Sequence, residues 1–411
     1  MNIKVNSKIT MKEILIILLP FAIFVGPFIH ISILNASNLF VGILFIYVFF
    51  ATLEKRFQYN VGYIVFFLIV SIYATMSIIW SVNQVLGLQI LFALITGFCT
   101  MFFIASFNEK ELSLLIGSIR IFTVAVILLA VYEILTGKYL FFNNIEFIYQ
   151  KTSYSFHFPG VVFINPNDLG YYLSIALPLI MILHTYNLRK KIVELVLIIL
   201  STFTLFNTES RLSMIGIVLI LFVYGCLMVI TNKKKAIKLV LSICTILIIA
   251  TMTQGIEILE ILNFDYLFKI DMNASYYTIR SSMYEEAFNI GLNYFPFGAG
   301  IGGSYSLLGI PPHNMFLFIW SDLGALICIG FVLACIFALW ALWRMKAIKI
   351  CSIELNKLLF SILLIFPILS MISSGTEQRK ITWIFFGIVF ASINISRRKM
   401  LSEYKNKMVK K

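Results

Sequence analysis

The chain has 411 residues, of which 60% are hydrophobic and only 12% charged, with a mean hydropathy of +0.96. That is too little polar material to cover a soluble globule, which leaves a lipid bilayer as the solvent. Long uninterrupted apolar runs also exclude a barrel, whose strands alternate apolar and polar residues, so the spans are helices that satisfy their own backbone groups. The formal net charge of +13 would point to nucleic acid in a soluble protein. In a membrane protein its meaning lies in which loops carry it, and no nucleic-acid partner is expected.

Mainly apolar runs of the length a bilayer requires fall near 12–30, 33–53, 61–80, 85–106, 112–135, 169–186, 191–206, 211–230, 239–253, 315–343, 357–373 and 382–396. They predict an all-α polytopic integral membrane protein, one membrane domain over 1–411, with about 12 transmembrane helices. Lysines precede the first run as in a signal peptide, but no small-residue cleavage site follows, so this run is expected to be a retained span.

Placing both termini in the cytoplasm and alternating sides leaves only Lys138, Lys151, Arg211, Lys269, Arg280, Arg379 and Lys380 outside, with Arg120 inside a span. All other lysines and arginines then face inward, as the positive-inside bias requires. The outer side holds two long loops, near 136–168 and 254–312. Within the second, Ile279, Met283, Ala287, Ile290 and Tyr294 recur at helical spacing, which predicts an amphipathic interfacial helix near 276–294. The six cysteines lie in apolar segments or an inward loop, so none is expected to form a disulfide.

Several polar residues could carry chemistry. Arg120 and Asp322 are ionisable groups set inside spans, which need a partner or a cavity. Asn165-Pro166-Asn167-Asp168 precedes an apolar run, with Asn167 as the expected helix cap and Asp168 in the first turn. In Asn207-Thr208-Glu209-Ser210-Arg211, the arginine falls at a helix N-terminus, where a guanidinium is unfavourable unless an anion joins it; a phosphate would serve, and so would Glu209 as a permanent partner. Arg280 borders the amphipathic stretch, where it can also snorkel to lipid headgroups. Residues Pro296 to Gly303 form a glycine-rich stretch without the preceding strand and following lysine of a phosphate loop, and are expected to be a flexible turn. His313, with Asn314, opens a span at its outer mouth, where a histidine can take a proton, hold a phosphate or serve structure alone. No metal-ligand spacing occurs and no metal is expected.

Taken in order, the Asn-Pro-Asn-Asp helix start, the Glu-Ser-Arg turn, Arg280 ahead of Phe295-Pro296-Phe297-Gly298-Ala299-Gly300-Ile301-Gly302, and His313-Asn314 leading to Asp322-Leu323-Gly324 resemble the O-antigen ligase and polymerase family of bacterial envelope glycosyltransferases. The resemblance covers roughly 160–345. It implies transfer of a glycan from an undecaprenyl-diphosphate carrier to a sugar hydroxyl outside the bacterial cytoplasmic membrane, without nucleotide sugar, cofactor or metal. It assigns Arg211 and Arg280 to the diphosphate and His313 to the catalytic centre. Glu209 is a second candidate base, and Asn167, Asp168, Asn314, Asp322 and Arg120 are candidates for support. Leu212 stands where many relatives have glycine, a departure that bears on the local geometry of that turn.

The resulting expectation is a polysaccharide polymerase for capsule, exopolysaccharide or O-antigen, working with membrane lipid and with a flippase and chain-length regulator of the same pathway. A ligase moving the glycan to another acceptor uses the same donor chemistry. A lipid-linked oligosaccharide flippase also suits the span count, but should show paired halves and a polar path through the bilayer.

Overall fold

The computed structural model describes residues 10–31, 34–53, 61–141, 158–163, 165–180, 188–208, 210–231, 275–345, 348–350 and 353–409, and these are almost wholly helical. In chain order the helices are α1 (Met11–Phe24), α2 (Ala36–Leu53), α3 (Val61–Ser77), α4 (Gln84–Ala105), α5 (Glu109–Thr136), α6 (Pro166–Ile180) and α7 (Leu188–Asn207). They continue as α8 (Arg211–Thr231), α9 (Ser275–Asn293), α10 (Gly303–Leu308), α11 (Met315–Arg344), α12 (Leu355–Leu369) and α13 (Lys380–Val409). Two-residue antiparallel ladders, His30–Ile31 with Leu34–Asn35 and Lys349–Ile350 with Ile353–Glu354, close two of the turns. Each expected span coincides with a helix except that near 239–253, which lies outside the described residues.

Among the described residues, five helices are long and apolar enough to cross a membrane: Gly62–Trp80, Gln84–Ala105, Glu109–Thr136, Arg211–Val229 and Met315–Arg344. Their surfaces carry the same message, since Ile72 is 61% and Leu326 71% exposed. Apolar area on that scale is unfavourable against water and belongs against lipid. The fold is that of a polytopic helical membrane protein.

From Ile381 to Ser396, α13 is buried on every side. It packs most extensively on α4, and glycine notches on each helix admit the other: a Cβ on Gly97 would stand 2.1 Å from Trp383 Cδ1, and one on Gly387 would stand 2.8 Å from Ile104 Cβ. Small residues of this kind let membrane helices approach closely without a hydrophobic driving force. Polar groups on α13 are paired, with Ser392 donating to Asn356 at 2.6 Å and Asn394 to the Ala105 carbonyl at 3.1 Å.

One end of the bundle is tied by charge. Capping boxes, Thr10 with Glu13 and Asn108 with Glu111, start α1 and α5. The two glutamates then exchange partners across the helices, Lys12 with Glu111 and Lys110 with Glu13, each at 2.7 Å. Lys399 meets Glu109 at 2.6 Å, joining α13 to the same corner. Away from that corner the start of α6 meets the start of α8 at Gly170 and Ser213, α8 meets the end of α12 at Gly216 and Leu369, and α11 meets α12 at Phe316 and Phe366.

Candidate active site

The glycine-rich stretch is firmly held. Gly298, Gly300 and Gly302 adopt φ of 77°, 82° and 80°, a region that L side chains rarely enter. Its N–H groups are all spent inside the protein. Ala299 donates to the Ser321 carbonyl at 2.7 Å and Gly300 to the Asp322 carbonyl at 3.0 Å. Ile301 donates to Ser77 Oγ at 3.0 Å, while Gly302 and Ser304 donate to the two Asp322 carboxylate oxygens at 2.7 and 2.8 Å. Asp322 therefore occupies the position a phosphate takes in a phosphate loop, and the stretch cannot be such a cradle. The expectation of a flexible turn is corrected for the same reason. Its other face rests on the end of α3 and the α3–α4 connection, where Tyr73 donates to the Phe297 carbonyl at 2.6 Å and Ser81 to the Ile301 carbonyl at 2.8 Å.

This clasp needs a break in α11. At Gly324, φ is 79° and ψ is 179°, which frees the carbonyls of Ser321 and Asp322 for the loop. Asp322 is wholly buried, and its bonded groups are on the loop and on Ser321. Arg120 is half-buried near the middle of α5.

Asn314 caps α11, its side chain accepting from the N–H groups of Phe316 and Leu317 at 2.8 and 3.3 Å. This holds His313, half-buried, just ahead of the helix start. Tyr284 on α9 donates to the His313 carbonyl at 3.3 Å. Lower on the same face, Trp320 stacks on Phe288 with ring centres 5.7 Å apart and donates to its carbonyl at 3.0 Å. The stripe Met283, Ala287 and Gly291 is thus turned to the protein. Arg280 precedes Tyr284 by one turn of α9, so the fold brings its helix to His313.

The start of α6 differs from expectation by two residues. The helix begins at Pro166, whose fixed φ and missing N–H suit the first helical position. Asn165 is therefore the cap, accepting from the Asn167 N–H at 2.8 Å, and Asn167, expected to be the cap, lies inside the first turn. Asp168 is sealed at 3% exposure. It accepts a hydrogen bond from Ser373 and forms an ion pair with Arg379, Nη2 to Oδ2 2.8 Å, without the alignment of a hydrogen bond. Tyr171 bonds Thr382 at 2.8 Å, fastening the first turn of α13 to α6 as well.

Close contact at Gly170, where a Cβ would lie 2.5 Å from Ser213 Oγ, seats the start of α8 on α6. Arg211 follows the buried Ser210 and is exposed. Glu209 lies outside the described residues. Gly216 meets Leu369, so α8 also abuts the end of α12.

The α12–α13 turn holds the polar residues that were not singled out from the sequence. Glu377 is buried and lines a cavity of about 20 Å³ with Phe67, Phe98, Met315, Leu323 and Trp383, space for about one water. Gln378 donates to its Oε1 at 3.1 Å, while Oε2 has no partner among the described residues. Burial first, and the charge of nearby Asp322 with it, push the Glu377 carboxyl up to about 7. Lys380 turns inward to the Ala93 carbonyl at 3.2 Å and to Thr96. Glu-Gln-Arg-Lys in a short connector between apolar runs was the available signal, but without helical periodicity it shows no direction.

These arrangements define a polytopic helical membrane protein that gathers buried polar networks at one end of its bundle. Residues 196–326 match a family model described as O-Antigen ligase. The matched region contains Arg211, Arg280, the glycine stretch, His313 and Asp322. The chain is also 24% identical over 360 residues to the teichuronic acid biosynthesis protein TuaE of Bacillus subtilis (strain 168), across 82% of this chain and 72% of that protein. No solved structure matches it.

Proposed function

We propose that the protein is a polysaccharide polymerase of the bacterial cytoplasmic membrane, joining undecaprenyl-diphosphate-linked oligosaccharide repeat units by glycosyl transfer on the outer face. The supporting observation is that the region matching the O-Antigen ligase model contains Arg211, Arg280 and His313, and that α9 carries Arg280 to within a turn of the residue touching His313. A diphosphate leaving group gains negative charge as the glycosidic bond to it breaks, and arginines from two helices can stabilise that charge. His313 takes the acceptor proton or orients the hydroxyl; Glu209 is the second candidate base. The likeness to a teichuronic acid biosynthesis protein supports polysaccharide synthesis as the setting.

A ligase acting on another acceptor shares this donor chemistry and is the second reading, favoured by the description of the matching family. A transporter would also have a broken helix, but there the freed backbone lines a path. In α11 the freed groups are taken up by the glycine stretch. The twelve-span topology, with the site end outside the cell, completes the proposal.

The test is glycan laddering in membranes of a deletion strain complemented with wild-type protein or with His313→Ala at matched levels. Wild type should restore a polymer ladder and the variant should leave single lipid-linked units facing outward. Units accumulating on the cytoplasmic side of the deletion strain would establish a flippase instead.

A further inference from the structure

Arg379 combines a charge that faces outward with an anchor that does not. Its side chain is 35% exposed, whereas its partner Asp168 is 3% exposed and held by Ser373. Both attachments use Nη2, which approaches Asp168 Oδ2 at 2.8 Å and donates to the Ser374 carbonyl at 3.3 Å. The donors on Nε and Nη1 meet no partner among the described residues, and Nε is buried as well. A guanidinium serving only to neutralise Asp168 would gain from being sealed and satisfied, since an unmatched buried donor is costly. This one is fixed in orientation with donors to spare, the state of a preorganised oxyanion ligand.

Its place in the fold agrees. Asp168 lies two residues before Gly170, which packs against Ser210 next to Arg211. On the other side, Glu377 of the same turn lines a cavity with Met315 and Phe318, in the first turn of the helix that follows His313. Arg379 is thus tied through Asp168 to the helix that seats the start of α8, and follows by two residues the Glu377 that faces the start of α11.

We propose that Arg379, positioned by Asp168 and Ser373, is a third arginine contact for the diphosphate of the lipid-linked donor, an inference that rests on the proposed function. The full-length protein in nanodiscs of zwitterionic lipid, which supply no anionic headgroup, would be titrated with inorganic pyrophosphate. Arg379→Gln should weaken binding about tenfold or more, the effect of losing one charge-assisted contact, measured below its melting midpoint, which should itself fall because Asp168 loses its ion-pair partner. If Arg379→Gln binds as wild type while Arg211→Gln loses binding, the third contact is overturned and the proposed function stands. If neither variant changes binding, both fall. Should Arg379→Gln fail to fold, phenylglyoxal labelling of wild-type Arg379 decides: protection by pyrophosphate but not by sodium chloride of equal ionic strength supports the contact, and equal labelling overturns it.

Discussion

Gly324 and Pro296 are fitted to each other: a Cβ on Gly324 would stand 2.1 Å from the Pro296 carbonyl oxygen, which accepts the Ala325 N–H at 3.0 Å. Gly324→Ala collides with that oxygen and also strains a φ of 79°. It should destabilise the protein by at least about 3 kcal/mol. Asp322→Ala removes the carboxylate and leaves the Gly302 and Ser304 N–H groups unmatched, at about 1–3 kcal/mol each. Melting midpoints in detergent and new protease cleavage between Pro296 and Ser304 would check both. Unchanged midpoints would refute the clasp.

The link between α9 and His313 separates holding from chemistry. Tyr284→Phe loses one hydrogen bond to the His313 carbonyl, and transfer should fall by no more than about tenfold. Arg280→Lys keeps the charge but loses the planar fork, and should reduce transfer strongly, by more than about tenfold. Polymer yield at matched membrane levels measures both, and full activity in Arg280→Lys would count against its proposed role.

Glu377 makes stability depend on pH with a definite sign. Its carboxyl is raised from the ordinary 4.5 to about 7, so between those values the folded protein holds a proton that the unfolded chain has released. The stabilising contribution is therefore full below about pH 4.5, declines as the pH rises, and is lost above about 7. Glu377→Gln cannot ionise. Its melting midpoint should exceed that of wild type at pH 8, with the difference shrinking toward pH 5; a constant difference would contradict the assignment.

Much of the helical layout was legible because a span must be long and apolar whatever its neighbours, and α3, α4, α5, α8 and α11 carry that signal within themselves. The buried helix α13 carried it less clearly, since Thr382, Ser392, Asn394 and Ser396 interrupt its hydrophobicity; each faces protein, where partners offset its polarity. Arg211, Arg280 and His313 stood out as polar groups at the edges of apolar runs. Asp322 stood out too, but its partners did not, because Gly302 and Ser304 are reached through backbone N–H groups that every residue possesses. The pairing of Asp168 with Ser373 and Arg379 joins positions about two hundred residues apart, and no local pattern relates them.

By itself the sequence determined the solvent of this protein and the positions of most of its helices, and it singled out the polar residues at the edges of the apolar runs. These follow from composition and local spacing. The tertiary structure alone decided that the glycine stretch is filled by Asp322, that the cap of α6 is Asn165, and that Arg379 is oriented by a sealed carboxylate. Each depends on which groups meet across helices, and burial makes an unmatched polar group too costly for those meetings to be left to chance.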